Sequence, residues 1–310
     1  MDWNASIRVY IQVPQKSLNT FDNYFVALHS KHQKKITMKK FLFLTLAATV
    51  FASCSKDKTE DPVNNDIPAS YYELSADGLT LVKWTNTSTT SLDMQADSKL
   101  QKVNTIKANA FRNTKLQSIN LPVNLKEIGD YAFIYSSIST VTFNSASNIT
   151  FGEAAFENTD ITSIKLPNTK EITNSLFKGC RKLKEVQFGK VEKIGDNAFY
   201  NCTALTQINL DNTGFTEIGE AAFALCEKAE KAILPETIRI IGASAFSNCF
   251  VLSNITVKAF LEVPTLKRDN AFISGSSIRR NIYVPSRRVN DYKNAPNWST
   301  WKDEITAIIE

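Results

Sequence analysis

Apolar and polar positions follow a pattern that returns about every 22 residues along the chain. Its marker is phenylalanine, found eight times at intervals of 21 to 26 residues: Phe111, Phe133, Phe156, Phe177, Phe199, Phe223, Phe246 and Phe272. Four copies share the pattern Ile-Gly-x-x-Ala-Phe, ending at Phe133, Phe199, Phe223 and Phe246. A fixed period of about 20 to 30 residues is typical of a solenoid, in which neighbouring coils complete one another's core. The pattern therefore predicts a repeat solenoid.

Each coil also contains a short strand pattern, Leu-x-x-Ile-x-Leu, of which Leu116 to Leu121 is one copy. Period-two alternation turns Ile119 and Leu121 inward and Ser118 and Asn120 outward. Strands of successive coils would pair in parallel, and their outward positions would form two rows on a concave face. One row is Ser118, Thr140, Ser163, Glu185, Gln207, Lys231 and Asn254; the other is Asn120, Thr142, Lys165, Gln187, Asn209, Ile233 and Thr256.

The Ile-Gly turn forms the second part of each coil. Glycine at 129, 152, 195, 219 and 242 is expected to supply backbone angles that a β-carbon would penalise. The polar residues after it are expected to cap a one-turn helix or complement its dipole, with a catalytic carboxylate pair as the alternative: Asp130, Glu153, Asn174, Asp196 and Glu220. Asparagines two positions after the ring suit a left-handed exit from the turn: Asn113, Asn158, Asn201 and Asn248.

The two ends of the array need caps, because an open solenoid end exposes its apolar core. Residues 71–75 and 79–84 flank an Asp77-Gly78 pair, which predicts a capping hairpin that includes Trp84. Leu92 and Met94 resemble the strand of a first, degenerate coil. After a last strand at 282–285, residues 286–294 can be helical. Beyond them lies a helical stripe that would cover the final coil, with an aromatic ligand platform as the alternative for its two tryptophans: Trp298, Trp301, Ile305 and Ile308.

The segment from Met38 to Cys54 has the parts of a secretory signal. Two lysines precede an apolar run of about a dozen residues, too short for the roughly 20 residues that span a bilayer. Cys54 after Ala52 and Ser53 makes the segment resemble a bacterial lipoprotein signal, in which the cysteine is diacylated and becomes the N-terminus. Phe51 departs from the usual leucine, and an ordinary signal peptide is the alternative.

These features divide the chain into five segments. Residues 1–37 are interpreted as an upstream extension from a start called too early, with a functional extension as the alternative. The others are the signal 38–53, a polar flexible tether 54–70, the solenoid with its hairpin 71–281 and a C-terminal cap 282–310. Residues 54–310 carry 29 basic and 29 acidic side chains, so no basic patch for nucleic acid is predicted.

The repeat pattern, Leu-x-x-Ile-x-Leu-Pro followed by Ile-Gly-x-x-Ala-Phe-x-Asn-Cys, resembles the BspA-like leucine-rich repeats of bacterial surface proteins. The resemblance covers about residues 71–310, with less regular coils around Phe177 and Phe272. It implies a leucine-rich-repeat-type right-handed coil, with short parallel strands on one face and short turns or one-turn helices on the other. It also implies export to the cell surface, at the outer membrane if the chain is a lipoprotein, and a role in adhesion or protein binding.

Little in the sequence indicates catalysis. His29 and His32 both precede the signal, and without histidine neither Ser-His-Asp nor Cys-His catalysis is available to the mature chain. Neither a phosphate loop nor a dinucleotide fingerprint is present. We therefore predict no enzyme activity, no cofactor and no metal.

Four cysteines lie three residues after a repeat phenylalanine: Cys180, Cys202, Cys226 and Cys249. Thr114, Ser136, Thr159 and Gly275 take the same place in other coils, so the position selects a small side chain. Free thiols are predicted, because stacked side chains point in the same direction. Export favours disulfides as the alternative.

The sequence predicts a lipid-anchored surface protein, attached through Cys54, that binds a protein partner such as host matrix or another cell. Candidate binding residues on the concave face are Lys165, Glu185, Gln187, Gln207 and Asn209. The alternatives are a glycan-binding accessory protein and a structural envelope protein without a discrete ligand. No nucleic-acid partner is predicted.

Overall fold

The computed structural model describes residues 66–145, 148–211 and 214–309. The predicted extension 1–37, the signal 38–53, Cys54 and most of the tether lie outside the described residues. None of the helices in the described ranges is both long enough and apolar enough to span a membrane.

Short strands dominate the described residues, as expected for a solenoid with turns on every coil. In chain order they are β1 (Tyr72–Leu74), β2 (Thr80–Trp84), β3 (Ser91–Asp93), β4 (Thr105–Ile106), β5 (Ser118–Asn120), β6 (Glu127–Ile128), β7 (Thr140–Thr142), β8 (Thr150–Phe151), β9 (Ser163–Lys165), β10 (Glu171–Ile172), β11 (Glu185–Gln187), β12 (Lys193–Ile194), β13 (Gln207–Asn209), β14 (Glu217–Ile218), β15 (Lys231–Leu234), β16 (Ile240–Ile241), β17 (Asn254–Val257), β18 (Thr265–Leu266), β19 (Asn281–Val284) and β20 (Ile305–Ala307). The single α-helix of the described residues, α1, covers Val289–Asn294. Short 3-10 helices cover Ala69–Tyr71, Leu100–Lys102, Ser286–Arg288 and Ser299–Trp301.

These strands form two parallel ladders along a solenoid of about ten turns, which confirms the predicted fold. The front ladder contains the predicted strands together with β20, which was not predicted, in three hydrogen-bonded groups: β3-β5-β7, β9-β11 and β13-β15-β17-β19-β20. The side ladder was not predicted as strands. It contains mostly two-residue strands just before the recurring Ile-Gly turn, in two groups: β2-β4-β6-β8 and β10-β12-β14-β16-β18.

The turn around each repeat phenylalanine adds a third set of contacts between coils. The N–H of Phe133 donates to Ala155 O at 2.8 Å, and the N–H of Phe199 donates to Ala222 O at 2.7 Å. Such contacts require left-handed residues on both sides of the ring. The predicted asparagines have positive φ, between 54° and 60°, and a second left-handed position, not predicted, lies two residues before the ring, as at Asn197 with φ 56°.

The explanation expected for the turn glycines is wrong. Gly129, Gly195 and Gly219 do not have positive φ; they are glycine because the preceding coil lies too close for a side chain. A β-carbon on Gly219 would stand 2.6 Å from Asp196 N, and one on Gly129 would stand 2.7 Å from Ala108 N. The steric demand therefore comes from coil stacking, which a single repeat does not reveal.

The helix-capping role expected for the polar residue after each glycine is also wrong. The described turns contain no helix at these positions. Instead, Asp130 Oδ1 accepts a hydrogen bond from Glu153 N at 2.8 Å, and Asp196 Oδ1 accepts one from Glu220 N at 2.7 Å. Asn174 Oδ1 accepts from Asp196 N in the same way, at 2.9 Å. The side chains of Asp130, Asn174 and Asp196 therefore tie one coil to the next, whereas Glu153 and Glu220 take part through their backbone N–H groups.

A stack of phenylalanine rings forms the centre of the core. All eight repeat rings are buried, with centroids of neighbouring rings 4.7 to 5.6 Å apart. Tryptophans continue the stack at both ends: Trp84 lies 5.9 Å from Phe111, and Trp298 lies 5.8 Å from Phe272. Because each ring buries its faces against its neighbours, no coil completes its own core.

At the N-terminal end, β1 and β2 pair antiparallel, with Tyr72 opposite Trp84. Strand β2 then pairs parallel with β4, so this hairpin extends the side ladder. Leu92 in β3 and Met94 just after it are both buried.

At the C-terminal end, the predicted helical stripe from Trp298 to Ile308 is wrong. A 3-10 turn ends at Trp301, and Ile305 begins β20, which pairs in parallel with β19. Adding a strand satisfies the exposed edge of the front ladder, which a helix would leave unpaired. The spacing of three, four and three residues fits a helix only by coincidence, although Trp298 and Ile305 do cover the last coil.

Candidate functional site

The candidate site is a cleft in the front ladder between β11 and β13. These strands belong to consecutive coils but are not hydrogen-bonded to each other, whereas β12 and β14 of the same coils are paired in the side ladder. The two coils are therefore joined at the side. At the front, Thr206 N donates to Lys184 O at 3.4 Å just before the strands, but β11 and β13 themselves are not paired. The cleft has a volume of about 250 Å³.

The backbone shows where the ladder opens. In intact parts of the ladder, the residue after each strand donates its N–H to the next coil: Leu121 N to Thr142 O at 3.0 Å, and Leu166 N to Gln187 O at 2.9 Å. Phe188 holds the same position after β11, but in the described chain its N–H makes no such bond to Asn209. The facing edges of β11 and β13 are consequently unpaired.

Apolar side chains at the cleft are more exposed than their counterparts on β9 and β13, and Val141 and Phe143 are likewise half-buried at the other unpaired junction, between β7 and β9. The central residue of β9 and of β13 is buried, but Val186, at the centre of β11, is only half-buried. Phe188 is also half-buried; its ring packs edge-on against Phe215 at 5.3 Å and Phe199 at 6.0 Å. The cleft thus has an apolar floor, completed by Leu205, Ile208 and Phe223.

Polar side chains form the rim of the cleft. Four of the five predicted binding residues lie here: Glu185, Gln187, Gln207 and Asn209. The fifth, Lys165, does not line the cleft; it lies on β9, in register with Gln187. Sequence reasoning missed the floor and Asp211, and the signal that could have found them is phenylalanine at 188 in place of leucine.

The rim carries one acidic group without a cationic partner. Asp211 Oδ2 lies 2.7 Å from Lys258 Nζ, so its charge is balanced. Glu185 is exposed and forms no ion pair with any described residue; its Oε1 accepts a hydrogen bond from Gln187 Nε2 at 3.3 Å. Gln207 makes no side-chain hydrogen bond within the described chain, so its amide is available to a ligand.

The four repeat cysteines are buried free thiols, as predicted. Each donates to the carbonyl of the phenylalanine one coil earlier, as Cys180 Sγ does to Phe156 O at 3.1 Å. Burial raises the pKa of Cys180 from its ordinary value of 9.0 to about 11, and burial likewise raises the pKa of Cys202. These cysteines are core residues, and structural cysteines buried in this way are unreactive.

The described residues hold no group of three or more His, Cys, Asp or Glu side chains suited to a metal ion. The cleft offers an apolar floor, amides on the rim and open backbone edges, groups that suit recognition of a ligand.

Solved structures of bacterial leucine-rich-repeat proteins are similar to this chain. One from T. pallidum is 20% identical, with a TM-score of 0.44, and the match covers 62% of this chain and 84% of that one. One from Bacteroides ovatus is 22% identical, with a TM-score of 0.42, covering 71% and 66%. A leucine-rich cell surface protein of Faecalibacterium prausnitzii is 18% identical, with a TM-score of 0.32, covering 69% and 86%.

The family model for the BspA type leucine-rich repeat region matches residues 84–188 and 149–279 in six copies. No curated protein matches the chain. The chain belongs to the BspA-type leucine-rich-repeat family, which confirms the resemblance seen in the repeat pattern. Proteins of this repeat class generally bind other proteins and are typically non-catalytic.

Proposed function

We propose that this chain is an exported, non-catalytic surface protein, anchored by lipid at Cys54, that binds a protein partner through the cleft between β11 and β13. The partner belongs to the host matrix or to another cell. The observation that carries the binding role is the opening of the front ladder between β11 and β13, one of its two unpaired junctions, over an apolar floor. Export and anchoring are supported by the signal pattern of residues 38–54, and the family includes surface proteins.

The cleft has the arrangement of a protein-binding hot spot, with an apolar centre inside a polar rim. Such hot spots are apolar pockets near the centre of an interface, ringed by polar contacts that exclude water. Val186 and Phe188 supply the apolar centre, and Gln187, Gln207 and Asn209 supply the polar ring.

The experiment is a binding screen of the full chain against purified extracellular-matrix and cell-surface proteins. Saturable binding that falls when Gln207→Trp fills the cleft supports the proposal. Absence of saturable binding to every protein tested contradicts it. Mass spectrometry of the membrane-extracted chain tests the anchor, because lipidation adds a diacylglyceryl group at Cys54, and an unmodified N-terminus elsewhere refutes it.

Glycan capture is a second candidate, favoured by the half-buried ring of Phe188 beside the amides of Gln187, Gln207 and Asn209. Aromatic faces and amide groups together suit a sugar ring. A glycan array separates the two functions: a glycan ligand that Gln207→Trp abolishes, without any protein ligand, favours glycan capture.

A further inference from the structure

We propose that the cleft binds an extended peptide segment of the partner, which aligns with the free edges of β11 and β13 and places one large apolar side chain on the floor at Phe188. This inference rests on the proposed function, since it takes the ligand to be a protein. It adds the form of the ligand, its anchor residue and the charge beside that anchor.

The backbone edges favour an extended ligand. A strand edge with unpaired N–H and C=O groups is a template for another strand, and proteins use such edges to bind peptides by strand addition. The Phe188 N–H lacks the bond that Leu121 and Leu166 make at the equivalent position. A peptide along the cleft would restore this bond and those of the facing edge on β13.

The size of the cleft favours one anchoring side chain. Its volume of about 250 Å³ is below the roughly 300–1,000 Å³ of sites that enclose whole small-molecule ligands. The exposed parts of Val186 and Phe188 would be covered by a leucine, methionine or phenylalanine of the peptide. In an extended chain, the residues on either side of that anchor point away from the floor, toward the rim.

The charge of the rim selects what stands beside the anchor. Glu185 projects from the same face as Gln207 and forms no ion pair with the described residues, while Asp211 is neutralised by Lys258. A lysine or arginine next to the anchor would meet the Glu185 carboxylate. The expected motif is therefore a large apolar residue with a basic neighbour.

The experiment selects binders to the full chain from a displayed library of linear peptides and measures their affinities by calorimetry. Gln207→Trp fills the cleft and is expected to weaken binding by about tenfold or more. Asn254→Trp is the matched control, because Asn254 lies in the same outward row on β17, where the ladder is intact; its affinity should stay within about twofold of wild type. Circular dichroism checks that both variants are folded.

Two further measurements test the details. Glu185→Gln should weaken peptides with a basic neighbour several-fold, and added salt should reduce the difference. N-methylation of the peptide backbone should weaken binding at each position that lies along the cleft, because alternate N–H groups face β11 and the intervening ones face β13.

Equal loss with Gln207→Trp and Asn254→Trp would overturn the assignment to the cleft, and tolerance of N-methylation at every position would overturn strand addition. Failure of the library to yield any peptide binder overturns the inference but leaves the proposed function intact if a folded protein partner still binds. A glycan ligand lost in Gln207→Trp, with no peptide ligand, overturns both.

Discussion

Replacing Gly219 by alanine tests whether coil stacking, not backbone angle, fixes the turn glycines. The new β-carbon would stand 2.5 Å from Gly195 C and 2.6 Å from Asp196 N, whereas ordinary contact begins at 3.4 Å. The two coils would have to separate by nearly 1 Å locally, an overpacking that costs about 1–3 kcal/mol. The neighbouring hydrogen bonds from Gly219 N to Ile194 O and from Glu220 N to Asp196 Oδ1 would lengthen, and each contributes about 1 kcal/mol.

The expected loss is therefore about 3–4 kcal/mol, a large share of the roughly 5–15 kcal/mol that stabilises a typical protein. Gly275→Ala is the matched control, because a β-carbon there has no neighbour within 4 Å and Gly275 has no positive φ. Its effect should lie between no change and a gain of about 1 kcal/mol, from the reduced freedom of the unfolded chain. Urea denaturation followed by far-ultraviolet circular dichroism measures both variants. If Gly219→Ala is no less stable than Gly275→Ala, the stacking argument fails.

Three further changes probe the contacts between coils. Phe199→Ala removes a ring between Phe177 and Phe223 and should destabilise the protein by about 3–5 kcal/mol in urea denaturation. Asp196→Ala removes an acceptor between coils and should cost about 1 kcal/mol, whereas Asp196→Asn keeps the acceptor and should cost less. The pKa of Cys180 is raised to about 11, so its contribution to stability is complete below pH 9.0 and is lost as the pH rises toward 11. Unfolding free energies between pH 8 and 11 should fall by about 2 kcal/mol less in Cys180→Ala than in wild type.

Each of these three predictions has a contradicting result. If Phe199→Ala lowered the free energy of unfolding by less than about 1 kcal/mol, the ring stack would contribute little to stability. Equal stability of Asp196→Ala and Asp196→Asn would refute the role of the acceptor. Parallel pH profiles for wild type and Cys180→Ala would refute the raised pKa of that thiol.

Repetition made most of the fold predictable. Inward Ile119 and outward Ser118 follow from alternation alone, and the left-handed exits follow from asparagine at a fixed place after the ring. The role of Gly219 was not predictable, because its neighbour in space is Asp196 of the preceding coil. The same limit applies to Ile305, whose partner strand, β19, lies one coil earlier.

The site was predictable only as a row of polar residues. Gln187 and Gln207 follow from alternation, but the row does not show that β11 and β13 separate. The link from Leu210 to Ile218 is two residues longer than that from Phe188 to Ile194. The length of the link alone does not explain why β11 and β13 separate. The link after β17 is also two residues longer than the link after β15, and yet β15 and β17 pair. Phe143 and Phe188 each end the strand pattern before an unpaired junction, which makes a bulky residue there the more useful signal.

The hydrogen bonds of the repeat cysteines have a consequence for where such an array can operate. Thr159 donates to Phe156 O of its own coil at 3.0 Å, and Cys180 of the next coil donates to the same oxygen at 3.1 Å, so a hydroxyl and a thiol both bond to this carbonyl. The hydroxyl of Ser136 at the same place makes no hydrogen bond with the described residues and Gly275 has no side chain, so what this place requires is a small residue, and sulfur chemistry is incidental to it. A version with threonine at all four cysteine positions would be indifferent to oxidants and reductants, and the number of cysteines in such arrays is a poor guide to the compartment in which they work.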